Sequence, residues 1–286
     1  MKKMMKVIAV LMMAAMLALT LGACEVAGEA APAAAAQTDA EYIAEKGTLV
    51  IGITMYPPMN YYAADGTLIG FDTEVATAIC EQLGLKPEFV EINWDSKEIE
   101  LNAKNIDCIW NGMTITDERK ENMSITAPYM NNSQCLVMKA EREEEIMANV
   151  EGLTITAEAG STGEGKVDGT LPDDGTETTS AYEYFSKTTY VPSDSMAKAL
   201  MEVKSGTADL AIVDSTLGLF NVGPGTDFDD LVCNLDLNFG AQQLGIAFRK
   251  GSDFTAKIDA AMAELLANGT LDEIAAKYGL QEALVR

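Results

Sequence analysis

Between residues 48 and 278 the chain alternates short apolar runs with amphipathic stretches, and no other feature limits its fold as much. Residues 48–53 predict a buried strand. Residues 72–83 predict a helix in which Val75, Ile79 and Leu83 recur four apart before Gly84 ends it. A strand over 88–92, a helix over 96–103, a strand over 106–110 and a short helix over 117–122 follow. After a strand over 133–138 and a charged stretch over 141–145, a second set reads as another lobe: strands over 153–157, 189–191 and 208–213, with a helix over 195–204. Residues 163–180, rich in Gly, Asp and Thr, predict a loop with at most one helical turn. A strand over 243–248 and helices over 253–267 and 271–278, parted by Asn268-Gly269, close the pattern. Such β/α alternation implies a mostly parallel sheet with ligands at the carboxyl ends of its strands, where Tyr56, Trp94 and Asn111 fall.

The first 23 residues read as a secretory signal: Lys2, Lys3 and Lys6, an apolar run over 7–21, then Gly22-Ala23. Leu21-Gly22-Ala23-Cys24 resembles a bacterial lipobox, which implies acylation of Cys24 and an N-terminal lipid anchor in the cell membrane. Residues 24–40, Ala-rich and broken by Gly28 and Pro32, have no amphipathic period and read as a flexible tether. The remaining length accommodates one large domain or two lobes.

The whole chain carries 44 acidic and 20 basic residues, a net charge of −24. Losing Lys2, Lys3 and Lys6 with the signal leaves 44 acids against 17 bases, or −27. That charge repels nucleic acid and anionic lipid. The absence of histidine removes histidine-based catalytic triads, the usual general base near neutral pH and the commonest metal ligand. No cofactor or metal is implied. Cys80, Cys108, Cys135 and Cys233 form no Cys-x-x-Cys motif; they read as buried free thiols, with disulfide pairing the alternative in an exported protein.

Residues 110–119, Trp-Asn-Gly-Met-Thr-Ile-Thr-Asp-Glu-Arg, place small hydrogen-bonding groups just ahead of an arginine in the first turn of a helix. Backbone N–H groups at Asn111 and Gly112 and the Thr114 hydroxyl can donate to an anion, and the planar fork of Arg119 can grip a carboxylate through two parallel hydrogen bonds. Lysine, a point charge, cannot reproduce that fork.

Together, Tyr56-Pro57-Pro58, Gly70-Phe71-Asp72, Trp94-Asp95, the run 112–119, Gly160-Ser161-Thr162, the run 211–214 and the run 241–248 resemble the extracytoplasmic solute-binding proteins of amino-acid ABC importers. The resemblance covers residues 48–280. It implies a two-lobe α/β fold of the periplasmic-binding-protein-like type II class, with lobe 1 over 41–132 and 239–286, lobe 2 over 133–238, and a hinge of two crossing strands. It also implies a monomer that hands a free amino acid to permease subunits in the membrane. Arg119, Thr114 and Thr162 would then hold the ligand carboxylate, and Asp214 its ammonium, shared with a carbonyl at Asn111 or Gly112. Tyr56 and Trp94 would sandwich the ligand. Relatives for basic amino acids carry an aspartate shortly after the first strand, whereas this chain has Ile53-Thr54-Met55. That difference favours a neutral polar amino acid or cystine, unless Glu98 or Glu100 faces the cleft. Trp110 would reshape the pocket floor. A sensory binding protein is the alternative, and a dehydratase or lyase on the same fold a weaker one, since no histidine is available for catalysis.

Overall fold

The apolar runs pair into two main sheets and a small ribbon in the computed structural model, which describes residues 37–170, 181–237 and 239–286. The expected signal over 1–23, Cys24, the tether up to residue 36 and residues 171–180 lie outside the described residues. The strands are β1 (Thr48–Ile53), β2 (Tyr61–Tyr62), β3 (Leu68–Ile69), β4 (Lys86–Glu91), β5 (Cys108–Thr114), β6 (Met123–Ile125) and β7 (Met130–Asn132). They continue as β8 (Gln134–Lys139), β9 (Thr154–Glu158), β10 (Thr189–Ser193), β11 (Leu210–Asp214), β12 (Leu231–Asn234) and β13 (Gln242–Arg249).

The first sheet runs β4-β1-β5-β13-β6, with β7 also paired to β13. The second runs β10-β9-β11-β8-β12, so the chain crosses between sheets after β7 and again before β13. Pairing is parallel for β4-β1-β5 and for β10-β9-β11, where each strand is reached through a helical crossover. It is antiparallel wherever β8 or β13, the strands that follow the crossings, take part.

The helix Phe71–Gln82 buries Phe71, Val75, Ala76, Ile79 and Cys80, and helices Thr255–Ala267 and Thr270–Tyr278 pack against it. The sequence pattern did not reveal a helix over Asp39–Lys46. Thr38 and Glu41 close a capping box at its start, so the last two residues expected in the tether are helical. Three further differences bear on the site. Strand β5 continues to Thr114 instead of ending at Trp110, so the polar run Asn111-Gly112 is strand. Trp110, fully buried, belongs to the hydrophobic core and not to a pocket floor. The loop expected over 163–180 opens as a helix, Thr162–Asp168, whose Glu164 N–H is capped by Ser161 Oγ. The four thiols are free, three of them buried and Cys233 half-buried.

Candidate functional site

A small cavity lies where the ends of β5, β9 and β11 meet. Its wall contains all eight residues singled out from the sequence: Tyr56, Trp94, Asn111, Gly112, Thr114, Arg119, Thr162 and Asp214. Glu158, Ser161 and Met196 also line it.

Arg119 sits in the short helix Asp117–Asn122, where Thr116 caps the helix by accepting from the Arg119 amide through Oγ1. The guanidinium is buried. Its Nη1 donates to the Thr114 carbonyl (2.7 Å) and its Nη2 to the Gly160 carbonyl (3.2 Å), which aims the fork across the cavity. Those two bonds use two of its five N–H groups. The Trp94 ring centroid lies 6.0 Å from Arg119 Cζ. Burial pulls the Arg119 pKa down, and the charges of Asp214, Glu98, Glu118 and Glu158 oppose that pull.

Asp214 ends β11 and is buried. Tyr56 Oη donates to it (2.7 Å), and so does Gln134 Nε2, which also reaches Thr162 Oγ1 (3.1 Å). Burial raises the Asp214 pKa, and these hydrogen bonds together with Arg119 pull it back. Lys97, buried and unsuspected from sequence, donates through Nζ to the Trp94 carbonyl (3.1 Å) and the Gly160 carbonyl (3.0 Å). The Tyr56, Arg119 and Lys97 bonds therefore tie segments of the first sheet to segments of the second.

The structure corrects one expected contribution, that of the Gly112 N–H, and shows the Asn111 side chain engaged as well. Asn111 spends its amide on Thr54 and Asn60, accepting from Thr54 Oγ1 (2.7 Å) and donating to the Thr54 carbonyl (3.0 Å) and Asn60 Oδ1 (2.7 Å). The Gly112 N–H donates to Asp72 Oδ2 (2.8 Å) and is not offered to an anion. These two residues shape the wall. Gly112 has φ +58°, and an added Cβ would stand 2.4 Å from Cε1 of Tyr56. Gly112→Ala is therefore expected to displace Tyr56 from Asp214 and to lower stability by roughly 1–3 kcal/mol, the usual cost of overpacking. Thermal unfolding of the variant checks this.

Besides Asp214, the cavity wall holds one further acid. Glu98 lines a neighbouring cavity of about 580 Å³, and the Glu100 carboxylate accepts from Asn105 Nδ2 (2.6 Å); neither lines the first cavity. Glu158, at the end of β9, does line it, and burial with help from Asp214 pushes its pKa up to about 8 against the opposing charges of Lys97 and Arg119.

Residues 49–281, nearly all of the described chain, match the family model of the bacterial extracellular solute-binding proteins, family 3. The chain belongs to that family. Among its family 3 relatives, the L-arginine-binding protein of Pseudomonas aeruginosa is 31% identical over 235 residues, covering 80% of this chain and 86% of that protein. The L-cystine-binding protein of Escherichia coli K12 is 28% identical over 261 residues, covering 82% of this chain and 84% of that protein. An ancestral arginine-binding protein solved with bound glutamine superposes with a TM-score of 0.70 at 29% identity, covering 81% of this chain and 97% of that one. The fold is thus the two-lobe, type II periplasmic-binding-protein-like fold, with a first lobe made of two separate chain segments.

Proposed function

We propose that the cavity captures a single L-α-amino acid and that the protein delivers it to an ABC permease. The observation that carries this reading is a buried guanidinium and a buried carboxylate, Arg119 and Asp214, in the wall of one cavity. A zwitterion matches that pair. Its carboxylate takes the remaining N–H groups of Arg119, with Thr162 alongside, and its ammonium joins Tyr56 and Gln134 on Asp214, while Trp94 covers the ligand. The arginine- and cystine-binding names of relatives support an amino acid as ligand.

Residues 41–132 with 239–286 would form one lobe and 133–238 the other. Arg119 and Asp214 come from different lobes on this division, so a ligand makes all of its contacts only when the lobes are closed and shifts the population that way. We assign no turnover to the site; bound ligand recovered intact by mass spectrometry is the expected result. The experiment that tests the reading is a thermal-shift screen of the chain from Gln37 onward against the twenty amino acids and cystine. Binding to the native state raises the melting temperature by mass action. A shift with one or a few amino acids supports the reading, and none with any of them overturns it. Loss of uptake on deletion separates an importer component from a sensor.

Cys24 is proposed to carry the lipid anchor. Replacing it with alanine should move the protein from the membrane fraction to the soluble fraction, since stable anchoring takes more than a single acyl chain. Retention in the membrane fraction would instead indicate an uncleaved apolar segment.

A further inference from the structure

Among the described residues, two neighbouring polar groups at the end of the second sheet are buried without a partner. Glu158 Oε1 is one and Ser193 Oγ the other. They are neighbours: β9 and β10 pair in parallel with Glu158 opposite Ser193, which sets both side chains on one face of the sheet. Of the two, Glu158 lines the ligand cavity, and because buried polar atoms nearly always find a partner, its open oxygen marks a place where the ligand supplies one.

The nearby cations are already engaged. Lys97 Nζ is directed at the Trp94 and Gly160 carbonyls, and the Arg119 Nη atoms at the Thr114 and Gly160 carbonyls. Asp214 takes the α-ammonium on the reading proposed above, which leaves Glu158 as a second acid with no donor of its own. We propose that Glu158, with Ser193 beside it on the sheet, forms the side-chain subsite of the cavity, and that the ligand is an amino acid whose side chain ends in a cationic N–H donor, a guanidinium or ammonium. This rests on the cavity being an amino-acid site. A hydroxyl or amide end gains as much from a glutamine as from a glutamate at this position, whereas a cation gains specifically from the carboxylate. The argument against basic amino acids drawn from Ile53-Thr54-Met55 then falls, because the acid comes from the opposite sheet.

Calorimetric titration of the soluble chain with L-arginine, L-lysine, L-glutamine, L-alanine and L-cystine tests the assignment, in the wild type and in Glu158→Gln. The wild type is expected to bind arginine or lysine at least tenfold more tightly than the other three. In Glu158→Gln the preference for arginine or lysine over glutamine should collapse towards unity, through a loss of at least thirtyfold for the cationic ligand. Wild-type selectivity carries the ligand class even where the variant fails to fold. A wild type that prefers a neutral amino acid or cystine, or a variant that keeps its cationic preference, overturns the subsite while leaving amino-acid binding intact. A wild type that binds none of the five, and shows no shift in the wider screen, removes the amino-acid reading and this inference with it.

Discussion

Arg119→Ala is expected to weaken amino-acid binding by roughly 2–5 kcal/mol, the cost of leaving one partner of a buried, hydrogen-bonded charge pair unmatched. The guanidinium is 7% exposed, so water cannot take over from it when the ligand carboxylate arrives. Substitution by lysine should recover only part of the loss. A lysine ammonium cannot hold the Thr114 and Gly160 carbonyls and still present parallel donors to a carboxylate. Neither Lys97, committed to two carbonyls, nor Lys120, which pairs with Asp117 on the surface, stands ready to replace it. Titration calorimetry on Arg119→Ala and Arg119→Lys gives the size of the effect, and the melting temperature of each variant without ligand separates lost binding from lost folding. An affinity equal to that of the wild type would remove Arg119 from the site.

The strands and helices from β1 to the helix Thr270–Tyr278 were legible because burial imposes a period on the sequence. Apolar runs such as Leu49 to Ile53 and Ala211 to Val213 can only be core. The eight cavity residues were legible for another reason: one ligand class needs all of them in one order, and the resemblance supplied that order. The extension of β5 through Thr114 was not legible, since Asn111 and Gly112 look like a turn. They are strand because distant groups satisfy them, the Asn111 amide bonding Thr54 and Asn60 and the Gly112 N–H bonding Asp72, 40 residues away. Lys97 and Glu158 escaped for the same reason. A lysine in a polar stretch and a glutamate closing a strand read as solvated, and only the pairing of β9 with β10 and the approach of Gly160 to Trp94 and Lys97 show them buried.

Asp72 extends this logic to stability. It is fully buried in the first turn of the helix Phe71–Gln82, where it accepts from Tyr129 Oη (2.9 Å) and the Gly112 N–H (2.8 Å). Burial dominates those bonds and pushes its pKa from 3.8 up to about 7. Between those values the folded protein keeps a proton that the unfolded chain has released, so stability must fall as pH rises from about 4 to about 7 and then level off. At 1.36 kcal/mol for each pH unit the ceiling on this loss is roughly 4 kcal/mol. In Asp72→Asn the amide oxygen can still accept from Gly112 and the amide nitrogen can donate to the Tyr129 oxygen, with nothing left to ionise. The variant should therefore be more stable than the wild type at pH 8, close to it at pH 4, and flatter in between, as followed by urea unfolding at each pH. Two other contributions slope the same way. Glu158, raised to about 8, adds its own fall, which Glu158→Gln removes. The net charge of −24 adds surface repulsion as carboxyls ionise, and salt screens that repulsion but not a buried carboxyl. The part of the pH slope that survives in high salt and is lost in Asp72→Asn belongs to Asp72, and a variant with the wild-type slope would show that Asp72 is ionised throughout in the folded protein.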